Sequence, residues 1–339
     1  MSPNKLFILV LPALIFLASC KDDPQANCPS EDQIASKFTQ PTGEEVIIST
    51  DGKLYKVHPD GCQYVADYYN EDFRSEFYSE IDGNISIITP QGNIPVVTEF
   101  TEDFESYSGT LDAFYTTIQE VGMKVWETLI LQSPSAQTVE EYVALRKCIL
   151  DGTCDFIDNR IDLVEDPMDP TNTCMRFESV AKTDDMVTSK SSMKTPLLFF
   201  ENGDDLWFTA DYLIEGNIPT TLADFENDFF EGSPGPRILI SGNKLTIENK
   251  FGDKEIYRHD RDITVPTNQW FNIKVHLKFS PENDGLVELW QDGVQLISAN
   301  GKTLPLNNSI QNSLEIGISA TELESTVYVD NLKIDHDEF

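Results

Sequence analysis

Three groups of residues carry types and spacings that could do chemistry. In Asp224-Phe225-Glu226-Asn227-Asp228, acids alternate with other residues. On a strand, residues two apart share a face, so these carboxyls would stand about 5 Å apart, as a retaining glycosidase requires. The segment from Thr220 to Phe230 reads equally as a loop or short helix, in which case it is simply acidic surface. The second group, Arg237, Lys250, Lys254, Tyr257, Arg258, His259 and Arg261, is basic and aromatic inside an acidic chain. On a concave sheet, Arg237 and Lys250 would hold a carboxylated or sulfated glycan, and Tyr257 or His259 would act as acid or base. The same residues also read as a solvated hairpin edge whose lysines discourage strand pairing. The third group is Trp207 and Trp290, flat rings against which a sugar could stack; packing within a second sheet is the alternative.

The elements that must position these groups are mostly strands. From about residue 157 onward, strands are predicted at 173–180, 194–200, 205–214, 236–241, 244–250, 269–279, 285–291, 312–319 and 326–334. Phe271, Ile273, Val275 and Leu277 alternate with Asn272, Lys274, His276 and Lys278, and Leu206, Phe208, Ala210, Tyr212 and Ile214 oppose Trp207. Many antiparallel strands at this spacing imply a two-sheet sandwich or jelly roll. Upstream, residues 44–96 read as a small β-rich unit with hairpins over 45–57 and 85–98. Helical spacing of Leu111, Phe114, Ile118, Val121, Val125 and Leu129 predicts a first helix. A second should span Val139 to Leu150, with Thr138 as N-cap and Glu141 in a capping box. The fold class is therefore mainly β, with a short helical insertion at about 111–150 and a β-rich N-terminal unit.

Charge narrows the partners. The 339-residue chain has 58 acidic against 24 basic residues, a net charge of −34. That field repels phosphates and excludes nucleic acid as a partner; a polyanionic glycan needs a local basic strip. Past the first twenty residues, the cysteines are Cys28, Cys62, Cys148, Cys154 and Cys174. Cys148 and Cys154 flank the turn-like Asp151-Gly152 and form the favoured disulfide; Cys28 with Cys62 is the next, leaving Cys174 free. Scattered histidines and the lack of a Cys-x-x-Cys argue against zinc.

The N-terminus has Lys5, an apolar run from Leu6 to Leu17, then Ala18-Ser19-Cys20-Lys21-Asp22-Asp23. The run is short for a membrane span of about 20 residues. Small residues before a cysteine resemble the lipobox of bacterial lipoproteins, and the acids that follow resemble the export tag of Bacteroidetes-type lipoproteins. This resemblance implies a signal peptide over 1–19, lipidation of Cys20, and a polar tether over 20–43. It further implies an outer-membrane, lipid-anchored protein exposed at the cell surface, touching the membrane through its anchor only.

Within residues 97–339, three passages resemble concanavalin A-like jelly rolls of the heparin-lyase-I-like and alginate-lyase-like kind. They are Trp270 to Leu277 leading into Gly285 to Gly293 with its Trp290-Gln291-Asp292-Gly293 turn, Leu314 to Ile318, and Tyr328 to Leu332. Alginate lyases of this shape use an Arg-x-Glu-x-Arg strand, and Arg176-Phe177-Glu178 matches its start, with Val180 in place of the second arginine. The resemblance thus implies Arg176 and Glu178 as glycan-binding residues beside Trp207, Arg237 and Lys250. Their Gln-Ile-His and Tyr-x-Lys-x-Gly-x-Tyr strands would fall at Leu239-Ile240-Ser241 and Ser313 to Ser319, without histidine or tyrosine. By analogy with similar jelly rolls, Glu105 and Asp330 would share a structural calcium, whose preference is for carboxylate oxygen.

These readings converge on a surface lipoprotein that binds polysaccharide and works beside outer-membrane glycan-uptake partners. The rival is a polysaccharide lyase with rearranged catalytic groups, and a third reading is a structural or adhesion lipoprotein.

Overall fold

Period-two alternation of apolar and polar residues governs most of this chain, and strands follow wherever it persists. The computed structural model describes residues 28–39, 45–50, 53–59, 61–67, 77–89, 92–107, 125–126, 128–154, 159–227, 234–251, 255–307 and 309–339. Strands β1 (Ile34–Thr39), β2 (Glu45–Ser49), β3 (Lys53–His58) and β4 (Gly61–Asp67) form a four-stranded sheet. Strands β5 (Tyr78–Ile81), β6 (Asn84–Thr89) and β7 (Gly92–Pro95) form a three-stranded one.

The later strands are β8 (Phe100–Glu102), β9 (Thr128–Gln132), β10 (Arg160–Glu165), β11 (Thr173–Ser179), β12 (Ser189–Thr195), β13 (Asp205–Gly216), β14 (Thr221–Glu226) and β15 (Pro236–Ser241). They continue with β16 (Lys244–Asn249), β17 (Ile256–Tyr257), β18 (Trp270–Lys278), β19 (Gly285–Gln291), β20 (Val294–Gly301), β21 (Ser313–Thr321) and β22 (Ser325–Asp335). One sheet is eight-stranded, in the order β10-β11-β22-β13-β18-β19-β20 with β8 added against β22. The other is seven-stranded, in the order β17-β16-β15-β14-β21-β12-β9. This is a jelly-roll β sandwich.

The core lies between the two sheets. Leu206, Phe208, Ala210, Tyr212 and Ile214 of β13 are fully buried, as are Ile273, Val275 and Leu277 of β18. Phe208 meets Phe225 of the opposing sheet edge-on, with centroids 5.4 Å apart, a favoured aromatic geometry. The three-stranded sheet packs on one end of the sandwich through Tyr78, Phe199 and Ile310. Helix α1 (Val139–Leu150) starts at the expected capping box: Thr138 Oγ1 accepts from the Glu141 backbone N–H, and Glu141 Oε2 accepts from Thr138 N–H. Disulfides join Cys148 to Cys154 and Cys28 to Cys62, while Cys174 is free and buried.

Several expectations are corrected. Leu129 sits in strand β9 rather than in a helix, because Thr128–Gln132 pairs with β12; Val125 is in a bend, and residues 111–124 of the expected helix lie outside the described residues. The strand expected at 194–200 lies instead at Ser189–Thr195. Its serines and lysines mask the pattern, since only Met193 supplies a large core side chain. The region around Asp224 is strand β14, not a loop or helix, and its carboxylates are held in a sheet. Strand β1 falls inside the stretch expected as tether, because Ile34–Thr39 pairs with β2 and Cys28 is bonded to Cys62 of β4.

Candidate active site

The register of the seven-stranded sheet sets five charged residues side by side. Lys194 lies opposite Glu315, Glu315 opposite Asp224, Asp224 opposite Arg237, and Arg237 opposite Glu248. Directly paired residues share a face. Their neighbours Met193, Leu314, Ile316, Phe225, Ile238 and Ile247 are buried in the core, so the charged row occupies the sheet's other face. Arg237 Nε donates to Glu248 at 2.6 Å. Ser319 Oγ donates to Asp224, and Ser192 Oγ to Glu315.

A second tier binds the row together. Lys194 Nζ lies 2.8 Å from Glu226, and Lys250 Nζ bridges Asp224 (2.9 Å) and Glu226. Lys190 Nζ is 3.7 Å from Glu315. Lys250 follows the end of β16, and its backbone N–H donates to Gly235 O at 2.9 Å. A Cβ at Gly235 would stand 1.8 Å from the Phe225 carbonyl oxygen, so only glycine lets this backbone lie against β14, where Lys250 reaches its two carboxylates. Gly235→Ala should therefore push β14 aside and cost roughly 3 kcal/mol, measured by urea unfolding.

Electrostatics splits the carboxyls into two kinds. Burial opposes the Asp224 carboxylate, but Lys250, Arg237 and Lys190 outweigh it and hold it at about 2. Glu226 is likewise pulled below its ordinary value against the effect of burial, by Lys250 and Lys194. Burial pushes the Glu315 carboxyl up despite Lys190, and Glu226 and Asp224 add to the rise. Burial alone would lower Lys250, yet Asp224 and Glu226 raise it, so it is a fixed cation. A carboxyl pushed up beside carboxylates held down is the environment that separates a proton donor from ionised partners.

The residues singled out in sequence are dispersed. Arg237 and Lys250 stand on the charged face. Tyr257 does not: it pairs with Ile247 and points into the core side, where its hydroxyl donates to Glu255 at 2.8 Å. Burial, with Glu255, raises the Tyr257 phenol well above its ordinary value, which removes it as a base. His259 lies beyond β17 in a cavity at the sandwich edge. Arg176 and Glu178 are half-buried on β11 of the eight-stranded sheet, Arg176 paired to Asp162 of β10; they share no face with Arg237. Trp207 is buried on that sheet's outer side, with His276 stacked on it at 3.8 Å and Lys274 4.6 Å from its centroid. Those groups fill the place a sugar would take. Asp228, Lys254 and Cys20 lie outside the described residues.

Glu105 and Asp330 lie on the eight-stranded side. Glu105 accepts from Thr173 N–H, and Asp330 accepts from Asn172 and Asn331. Burial pushes Asp330 up to about 6, and Asp211 and Glu105 contribute. Among the described residues no three His, Cys, Asp or Glu side chains form a metal cage.

Lys190, Ser192, Lys194, Glu315 and Ser319 went unnoticed in the sequence. The usable signal was alternation: Lys190, Ser192 and Lys194 on one strand, and Glu315 against Leu314, Ile316 and Ile318 on its neighbour. Among the described strands of this sheet the only histidine or tyrosine is Tyr257.

Among solved structures, the endo-β-1,4-glucuronan lyase of the fungus Trichoderma reesei is similar at 11% identity, covering 71% of this chain and 96% of its own, with a TM-score of 0.42. The cellulose-induced protein Cip1 is similar at 13% identity, with 71% and 99% covered and a TM-score of 0.44. The alginate lyase Aly36B, in a complex with alginate trisaccharide, gives 10%, 49% and 82%, and 0.36. At such scores these likenesses carry no argument of their own. No curated protein matches the chain. The polysaccharide lyase family matches it over residues 123–333, a span that takes in the whole seven-stranded sheet and most of the other. This chain belongs to the polysaccharide lyase family.

Proposed function

We propose that the protein cleaves a uronate-containing polysaccharide by β-elimination on the charged face of the seven-stranded sheet. The carrying observation is the row itself. In a chain of net charge −34, Lys190, Lys194, Arg237 and Lys250 match Asp224, Glu226, Glu248 and Glu315 in number. Cations and carboxyls therefore balance on this patch, so an anionic polymer meets less repulsion there than over the chain as a whole.

Elimination needs the uronate carboxylate neutralised, a proton taken from the adjacent carbon, and a proton given to the leaving oxygen. Arg237 and Lys190 have the more exposed cationic side chains of the patch, at 30% and 26%, and are assigned to the substrate carboxylate. Glu315 is assigned as proton donor, and the ionised Glu226 and Asp224 as the accepting side. Affinity gels test binding: carboxylated polymers should retard the protein and neutral ones should not. Arg237→Gln combined with Lys190→Gln should sharply weaken the retardation. Equal retardation by neutral polymers would refute the assignment.

Two further parts belong to the same reading. Cys20 is lipidated and anchors the chain at the outer surface, beside uptake partners that take the released oligosaccharides. Cys20→Ser should eliminate radiolabelled palmitate incorporation and release the protein from the membrane fraction; unchanged labelling would place the lipid elsewhere. Calcium is the second part. Glu105 and Asp330 would offer the carboxylate oxygens that calcium prefers, and the ion would offset the negative charge of Asp211 and Glu105 that adds to the effect of burial on Asp330. Asp330 has its folded value near 6 against an ordinary 3.8. Its favourable contribution is therefore full below about pH 4 and lost as pH rises through 6. Calcium should stabilise the protein at pH 7.5 by about 2.7 kcal/mol at a hundredfold excess over Kd, read as a higher Tm. It should do little at pH 4, and Asp330→Asn should lose the response.

A further inference from the structure

At one edge of the sandwich, where β17 of one sheet comes near β20 of the other, the chain forms an open cavity of about 710 Å³. That size suits a small ligand or sugar unit. It does not share the charged face. Tyr257, in its wall, pairs with Ile247 on the core-facing side of the strands, whereas Glu248 of the row points outward. Leu296 and Ile297 of β20 give the cavity an apolar floor, and both are buried. Arg258 and Arg261 stand on its wall against one acid, Asp260. Lys244 Nζ donates to the Arg261 carbonyl and ties that loop to β16.

His259 is the telling residue. It lines the cavity, and both of its ring nitrogens are enclosed without a well-formed hydrogen bond, the Arg261 backbone supplying a weak one. Buried polar atoms rarely stay unpaired, and each such case asks for an explanation. Burial, with Lys244 nearby, lowers His259 below its ordinary value, so near neutral pH the ring offers one donor and one acceptor. A sugar hydroxyl complements both roles.

We propose that this edge cavity is a second, non-catalytic carbohydrate site that takes one uronate unit of the polymer. The carbon face of the pyranose lies on Leu296 and Ile297. The carboxylate lies between Arg258 and Arg261, whose planar forks match a carboxylate in two-pronged fashion. A ring hydroxyl pairs with His259. Such a site would hold a long chain while the sheet face works on another stretch, so apparent affinity would grow with chain length.

The test uses the intact protein and a glucuronate tetrasaccharide, followed by isothermal titration calorimetry under conditions too cold and brief for turnover. Wild type should bind two equivalents. The double variant Arg258→Gln/Arg261→Gln should bind one, with the other weakened at least tenfold, while its kcat on the tetrasaccharide stays unchanged and its KM on long polymer rises. Arg237→Gln should lose the other equivalent and keep the edge site, so failure of the sheet-face reaction and failure of this site give different titrations. Should the double variant prove less stable in a thermal melt, His259→Gln is read in the same way and should weaken the edge equivalent. Two undiminished equivalents in both cavity variants would overturn the proposal. So would binding of a sulfated tetrasaccharide with none of the carboxylated one.

Discussion

Replacing Lys250 with methionine should destabilise the protein by about 3–5 kcal/mol, the cost of stranding buried charge when one partner is removed. Lys250 is the hub of its cluster, bonded to Asp224 and Glu226, with 15% of its side chain exposed against 5% and 9% for its partners. Methionine keeps the length and apolar stem but leaves two carboxylates facing each other in a desolvated site. At about 2–4 °C per kcal/mol for a domain of this size, the melting temperature should fall on the order of 10 °C. The loss should be partly recovered in the triple variant that also carries Asp224→Asn and Glu226→Gln, because the stranded charges are then gone. The pH profile should change as well. Asp224 titrates at about 2 in the folded protein against an ordinary 3.8. A depressed carboxylate contributes stability that is full above about pH 4 and lost as pH falls toward 2. Without Lys250 that contribution shrinks, so acid unfolding followed by circular dichroism should begin at higher pH in the variant.

The second large effect is on turnover. Glu315→Gln should lower kcat by about 10²–10⁴-fold, the usual worth of a positioned proton donor. Stability should change far less than with Lys250, since Glu315 is pushed toward its neutral form and glutamine is close to that form in shape and polarity. Its partners do not strand it: Ser192 Oγ donates to the same side chain, and Lys190 stays 3.7 Å away. A purely structural Glu315 would leave kcat intact in the glutamine variant. The kcat profile provides a further readout, because loss of the protonated carboxyl should remove the alkaline limb of the wild-type curve.

The sandwich was legible where alternation was strong. The stripes on β13 and β18 pointed to the core as expected, since apolar side chains at every second position leave only one face to bury. The capping box at Thr138 and Glu141 was equally readable, because it depends on residues three apart in sequence. The site was only half legible. Arg237 and Lys250 were recognised by charge, and their partners Asp224 and Glu226 by alternation, but Lys194 and Glu315 come from strands more distant in the chain and join them only through register. Strand β12 escaped notice because a charged and serine-rich face looks like a loop when read alone. Tyr257 and His259 show the opposite failure: neighbours in sequence to the basic patch, they turn to the core side and the sandwich edge once β17 pairs with β16. Trp207 had the right face but the wrong company, with His276 and Lys274 already on its ring.

The most direct test of the central claim is the chemistry of the product. Incubated with glucuronate, mannuronate and galacturonate polymers, the wild-type protein should generate the ultraviolet absorbance of a new C4–C5 double bond on at least one of them, rising in step with new reducing ends. Glu315→Gln should leave that signal nearly flat. New reducing ends without the absorbance would mean hydrolysis, assigning the carboxyls of β14 and β21 to a glycosidase. An undiminished signal in Glu315→Gln would contradict the account of the charged face itself.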